Sequence, residues 1–363
     1  MMMLGEVSTL QRGFDLPIQN RLEGEIPIYA ANGPVGFHNE MRVAGPGVIT
    51  GRSGSIGNVH YVEGGYWPLN TSLYVKDFHG NDPKYIYWLL RNLRLDRFHH
   101  GTGVPTLNRN VVHRELVPIP PLPEQRRIAA ILDKADALRV KRREAITKLD
   151  QLLQSVFLEM FGDPVANPKG WPLISFADVG QWKSGATPSK SEPAYWDGSF
   201  PWVSPKDMKV SLIADAQDHV SDLAFQSTNL KRIEPGHLLI VVRGMILAHS
   251  FPTAVNAVPV AINQDMKAIK PIKDLDIIYL KAAVDSLKGR ILSVVSTAGH
   301  GTCRLDTRDA SEVKVPVPPL GTQLAYRAIA NKNSQLRVKA LAQLEKLDSM
   351  FLATQQKAFD GAL

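Results

Sequence analysis

Two stretches of the chain place apolar residues at spacings of three and four, with polar residues between them. In the first stretch these are Ile128, Ile131, Ala135, Leu138, Ala145, Leu149, Leu152 and Val156. In the second they are Tyr326, Ile329, Leu336, Ala340, Leu347 and Met350. That period predicts two helices, each with one narrow apolar stripe. Both stretches run for roughly 37 residues without Pro or Gly, so nothing interrupts them. A polar helix of that length cannot bury a single stripe alone. The pattern therefore predicts that the two stripes face each other as a coiled coil, with Ile128, Ile131, Ala135, Leu138, Leu149, Leu152, Ile329, Leu336, Leu347 and Met350 in its core. The first helix leads from one half of the chain into the other, which favours an antiparallel pair. Two independent helices, each lying on its own domain, are the alternative.

The remaining residues, 1–116 and 164–314, read as short strands punctuated by Gly and Pro. The two halves share one order of elements. "LGEVSTLQRGFDLP" (Leu4–Pro17) stands beside "FADVGQWKSGATPS" (Phe176–Ser189). "PGVITGRSGSIG" (Pro46–Gly57) stands beside "PGHLLIVVRGMILA" (Pro235–Ala248), and "LNTSLYVKD" (Leu69–Asp77) beside "INQDMKAIK" (Ile262–Lys270). Each then has a short helix, in 83–93 and 275–287. The order matches while the residues differ, so one scaffold carries two surfaces.

The long helices share more than an order. Val117–Phe161 and Val315–Phe359 match without gaps at about 17 of 45 positions, which marks a duplicated unit. Shared pieces are "VP-PPL", "LRVK" (Leu138–Lys141, Leu336–Lys339) and "KLD" (Lys148–Asp150, Lys346–Asp348). The register extends upstream, where Gly101, Gly103 and Leu107 match Gly299, Gly301 and Leu305. Prolines open each copy and force extended chain. Pro123 suits the start of the first helix, and Thr322 is the N-cap candidate of the second. The organisation predicted is α+β, with two mixed α/β domains, 1–120 and 163–318, separated by helices 121–162 and 319–363 in a pseudo-twofold internal repeat.

Composition narrows the chemistry. Cys303 is the only cysteine, so no internal disulfide or multi-cysteine zinc site can form, and a reducing, cytoplasmic location is expected. The ten histidines show no HExxH, and His99 and His100 read as surface residues first and as phosphate contacts second. No run can span a membrane; His237–Ala248 is short and broken by Arg243. The N-terminus has no signal-peptide pattern and enters a strand almost at once, which suggests missing upstream residues or a misassigned start codon. The net charge of +7 is a mild hint of nucleic acid.

"GRSGSIG" (Gly51–Gly57) is neither a Walker A loop, since GK[ST] is missing, nor a dinucleotide fingerprint. It reads as a loop between strands. Arg52 and Arg243 stand at matching places after their strands. Contact with DNA and a buried structural ion pair both stay open for them. Gln11, Arg12 and Ser53 join Arg52 as candidate DNA contacts in the first domain. Lys183, Ser184, Lys190 and Lys206 join Arg243 in the second. Trp182, Tyr195, Trp196 and Trp202 read as packing residues. No [DN]PP[FY] loop, helicase motor or nucleophile triad is visible.

Two variable domains, each followed by "P[IV]PPL-x-x-Q" and a long helix, resemble the specificity subunit of a type I restriction–modification system across essentially the whole chain. The resemblance implies a noncatalytic, DNA-binding subunit. Each domain would read one half of a bipartite target, with the paired helices as spacer. A rod of about 38 residues is ~57 Å long, enough for about 17 base pairs. It implies two docked methyltransferase subunits carrying S-adenosylmethionine, and restriction subunits using ATP and Mg, with no cofactor in this chain. Pro121, Glu124, Gln125, Arg126, Pro319 and Gln323 are the docking candidates. Gly321-Thr322 replaces Pro123-Glu124 in the second copy, so its docking is expected to be weaker or different. The competing readings are a divalent-metal-dependent nuclease and an adaptor that no longer reads DNA.

Overall fold

The computed structural model describes residues 1–100, 104–297 and 302–363, with the side chains of His99 and His100 excepted. The matched glycines Gly101, Gly103, Gly299 and Gly301, and the surface reading of the two histidines, lie outside the described residues. Four helices frame the two repeats: α1 (Pro83–Asn92), α2 (Leu122–Phe161), α3 (Ile277–Ser286) and α4 (Leu320–Phe359). The chain divides into two units, 1–145 with 340–363, and 146–339. Each unit therefore holds part of each long helix.

In the first unit, strands β1 (Thr9–Arg12), β2 (Gly47–Gly51), β3 (Val59–Val62) and β4 (Ser72–Asp77) form an antiparallel sheet in the order β1-β4-β2-β3. A second small sheet has Ile26–Ala30 at its centre, antiparallel to Gly33–His38 and parallel to Trp67–Pro68. In the second unit, β5 (Gly180–Ser184), β6 (Leu212–Ile213), β7 (Leu238–Val241), β8 (Thr253–Asn256) and β9 (Met266–Pro271) follow the order β5-β9-β7-β8-β6. Its small sheet again has a central strand, Phe200–Val203, antiparallel to one neighbour and parallel to the other. The common order predicted from the strand sequences is thus present, with β6 added at one edge.

α1 and α3 start for the same reason. Asp82 caps α1 by accepting a hydrogen bond from the Tyr85 amide at 3.0 Å, and Asp276 accepts from those of Ile278 and Tyr279. α1 buries Tyr85, Ile86, Trp88, Leu89 and Leu90 against the first unit's core. Each such large side chain contributes about 1.5–3 kcal/mol. α2 stops at Phe161, where Gly162 takes a φ of +79° that other residues adopt only with strain. Thr322 is not a cap, because α4 already begins at Leu320 and Thr322 lies inside its first turn.

The long helices run antiparallel. Arg139 Nε meets Asp348 Oδ1 at 2.6 Å in the first unit, and Arg337 Nε meets Asp150 Oδ1 at 3.0 Å in the second. Within the first unit Arg127 also donates to the Leu363 carbonyl at 2.6 Å, so residue numbers rise along α2 as those of their partners fall toward α4. These four residues come from the shared "LRVK" and "KLD" pieces, so the duplication makes one salt bridge twice. Its exposed members add little stability, but they fix the register. Asn333, buried on α4, donates to the Leu149 carbonyl at 2.9 Å and adds a polar constraint in the same seam.

The seam itself differs from the expected one. Ile128 is buried as expected, and Ile131, Ala135, Leu149 and Leu347 are partly so. Leu138, Leu152, Ile329, Leu336 and Met350 are 43–65% exposed. The buried line on α4 passes instead through Tyr326, Ala330, Asn333, Ala340, Phe351 and Ala358, and on α2 through Leu132. A seven-residue period sets the spacing of a stripe but not its angle around the helix. Small and polar residues fill part of the true seam, so hydrophobicity picks out its flank.

Candidate nucleic-acid interface and docking faces

Arg12 and Arg52 converge on one open cleft of the first unit, about 470 Å³ in volume, whose walls also include Thr106, Asn108, Arg109 and Asn110. Arg52 is held firmly. Its amide donates to the Thr71 carbonyl at 2.9 Å, its carbonyl accepts from Leu107 at 2.8 Å, and its guanidinium reaches the Asn70 carbonyl at 3.3 Å. Arg12 is exposed and lies 3.6 Å from Asp15. Gln11, next to Arg12 on β1, is half-buried and points to the opposite sheet face by strand alternation. Ser53 bridges Thr106 through its backbone. Arg109 and both asparagines were not candidates from sequence. Only the long-range pairing of 52–54 with 105–107 brings them beside Arg52.

The second unit repeats this frame with other side chains. The Leu305 amide donates to the Val242 carbonyl at 2.9 Å, as Leu107 does to Arg52, and Gly244 donates to Cys303 at 3.0 Å, as Gly54 does to Pro105. Ser53 pairs with Thr106, and Arg243 with Arg304. Arg52 therefore corresponds to Val242, and Arg243 to Ser53. The two arginines do not occupy matching places, as their sequence context suggested; they are offset by one residue. Arg243 is exposed. Neither Arg52 nor Arg243 has a carboxylate at ion-pair distance among the described residues, which removes support for buried structural pairs.

By strand pairing Ser184 corresponds to Arg12. It accepts a hydrogen bond from Lys267 at 2.6 Å. Lys183, its neighbour on β5, points to the other face. Lys190 is exposed and lines a separate hollow with Pro193, Trp196, Asp197 and Asp218. Lys206 is exposed on a loop. Trp202 is buried, and Trp196 packs against it at 5.0 Å, as packing residues do.

Two of the docking candidates are interior. Gln125 and Gln323 are 2% and 0% exposed. Gln125 Oε1 accepts from the Asp82 amide at 2.9 Å while Nε2 donates to the Pro120 carbonyl and to Asn81. Gln323 Oε1 accepts from the Asp276 amide at 2.8 Å while Nε2 donates to Pro318 and Asp274 carbonyls. Each ties the start of a long helix to the start of α1 or α3. Their side-chain hydrogen bonds are made within the chain. Tyr85 and Tyr279 complete the same fastening, each donating its hydroxyl to a proline carbonyl, Pro118 and Pro316. Pro121, Arg126 and Pro319 are exposed. Glu124 forms an ion pair with Arg127 at 2.7 Å, and that hydrogen bond holds its carboxyl below the usual carboxylate range.

A cleft of about 490 Å³ lies beside α4 in the second unit, lined in part by Tyr326, Leu212, Ile278 and Asp285. Burial alone would push the Asp285 carboxyl up. Lys281 at 2.7 Å, with Thr253 and Lys288, outweighs burial and holds it below its ordinary value. A depressed carboxylate stabilises the fold above its unfolded pKa and loses that contribution as pH falls through its folded value. We expect the melting temperature of the Asp285→Asn variant to be lower than wild type at neutral pH and the two to converge in acid. Parallel pH profiles would contradict this.

Among the described residues no group of three or more His, Cys, Asp or Glu is placed to hold a metal ion, and no helix is long and apolar enough to cross a membrane.

Comparison with known proteins puts these features in one family. The sequence model for "Type I restriction modification DNA specificity domain" matches residues 1–148 and again 168–346. The chain is 30% identical over 264 residues to the type I restriction enzyme EcoR124I/EcoR124II specificity subunit of Escherichia coli, covering 69% of this chain and 62% of that one. It is 24% identical over 198 residues to the MjaIX specificity subunit of Methanocaldococcus jannaschii, covering 51% and 44%. The chain thus spans about three fifths or less of these relatives' own length. The crystal structure of a type I S subunit from M. genitalium shares the fold, with a TM-score of 0.64 at 17% identity over 98% of this chain and 95% of that one. A chain solved in work on complex assembly of the type I R-M system gives 0.58 at 20% identity, over 100% and 97%. The duplicated match, falling on the duplicated frame, identifies this chain as a member of the type I restriction–modification DNA specificity family.

Proposed function

We propose that the chain is the noncatalytic DNA-reading subunit of a type I restriction–modification assembly. Each unit reads one half of a bipartite duplex target. Two copies of a methyltransferase subunit, carrying S-adenosylmethionine, dock on the duplicated helices, and restriction subunits using ATP and Mg join them in the cytoplasm. The observation that carries the reading is the contrast between two sets of residues. The helix residues Arg139, Asp150, Arg337 and Asp348 repeat, while the loop positions around Arg52 and Arg243 differ on one backbone frame. Repeated faces suit identical partners, and differing faces suit different half-sites.

The docking face has a candidate in the flanking stripes. Leu138 and Leu152 on α2 match Leu336 and Met350 on α4 through the repeat, and all four are exposed. Leu138 and Met350 belong to the first unit, and Leu336 and Leu152 to the second, so each unit carries one such pair. Pro121 and Pro319 also match through the repeat, while Arg126 falls opposite Leu324. A single Leu138→Glu or Leu336→Glu substitution should remove one of two methyltransferase subunits from the complex purified by a tag on this chain, and the double variant both. A double variant that still carries two would contradict the assignment.

A further inference from the structure

The cleft between Arg12, Arg52 and Arg109 takes the proposed reading to individual residues. Arg52 occupies the place that Val242 holds in the second unit, and Val242 is 7% exposed within the core. Its side chain is thus rooted at an interior position and emerges into a polar cleft. The backbone on both sides of it is fixed by hydrogen bonds. A half-buried guanidinium without a carboxylate partner among the described residues is unfavourable for the fold. It remains matched to an external acceptor that two or more of its donors can reach. Arg109 lies on the same cleft, its guanidinium 3.5 Å from the Leu10 carbonyl. Asn108 uses its side-chain oxygen to cap the Asn110 amide at 3.0 Å, which leaves its amide N–H groups to the cleft. Asn110 is exposed beside it.

We propose, on the DNA-reading function above, that this cleft is the specificity-determining site of the first unit. Arg52, with Asn110 beside it, contacts base edges in the major groove, and Arg109 contacts a backbone phosphate. Rigid placement suits the first task, because bidentate recognition of guanine O6 and N7 needs a fixed fork. A contact at the cleft edge suits the second, because phosphates need charge more than angle.

The test uses the full-length chain and the duplex it enriches from a random pool, with a control duplex scrambled in one half-site. Arg109→Ala should weaken both duplexes by about 10-fold and reduce the slope of log affinity against log salt by about one. Arg52→Lys keeps the charge. It should leave the slope and the control affinity unchanged while the preference for the enriched half-site falls about 10-fold or more. Asn110→Ala, at a position on which the fold does not lean, should lower the same preference and serves if Arg52→Lys melts early. Full preference retained by Arg52→Lys and by Asn110→Ala, or an unchanged salt slope in Arg109→Ala, overturns the assignment. A wild-type chain that enriches no sequence overturns the parent reading as well. Enrichment that these variants leave untouched overturns the cleft alone.

Discussion

Phe161→Ala should lower the stability of the second unit by about 3–5 kcal/mol, the range for deleting a buried aromatic side chain. Phe161 ends α2 and is 2% exposed. Its ring lies 4.7 Å from Tyr279, 5.1 Å from Phe157 and 5.5 Å from Tyr326. One ring thus joins α2, α3 and α4. Alanine would leave a cavity whose walls belong to three helices, none able to close it without moving the others. The repeat supplies an internal comparison. Phe359 is the matching residue, and it meets Tyr85 at 5.7 Å. Phe359→Ala should cost less, because fewer rings surround it. Denaturant unfolding followed by tryptophan fluorescence would measure both. Equal losses below about 1 kcal/mol would show that the aromatic cluster does not hold the helices to the unit.

Gln323→Ala should cost about 2–4 kcal/mol, although glutamine on a helix surface is nearly neutral. The fully buried amide serves one backbone donor and two backbone acceptors. Removing it leaves those groups without partners in a dry site, and each such group costs about 1–3 kcal/mol, less whatever water recovers. Gln323→Glu should be no better, since a carboxylate cannot donate to the Pro318 and Asp274 carbonyls and would add charge near Asp276. Thermal unfolding of both variants would check this. Wild-type stability in either would mean that the fastening is incidental. Gln125→Ala should repeat the effect in the first unit.

How much of this was legible in the sequence follows from which signals are local. The long helices were, because freedom from Pro and Gly and a sustained period survive without knowledge of the partner. They run over Leu122–Phe161 and Leu320–Phe359, where helices were expected over 121–162 and 319–363; the second stops four residues before the expected end. Their inner faces were only partly legible. Asn333 and Arg139 sit at seam positions because the opposite helix offers a carbonyl and a carboxylate, and that information lies about 200 residues away. Leu336 and Met350 looked like core because leucine and methionine usually are, yet here they flank the seam.

The glutamine of "PPL-x-x-Q" was visible as a repeated residue. Its internal fastening was not legible, because repetition alone does not distinguish a surface contact from a buried one. Arg52 was visible as an arginine beside glycines. Its one-residue offset from Arg243 was not, because only the pairing with 105–107 and 303–305 sets the register. Arg109 carried no sequence signal of its own.

The most direct measurement is a methylation map. The chain would be expressed with the proposed methyltransferase partner in a host free of DNA methylation, and modified bases located by long-read sequencing. The account predicts one split motif with a fixed gap, absent when this chain is omitted and altered in one half only by Arg52→Lys. Methylation at a continuous motif, or the same split motif without this chain, would contradict it.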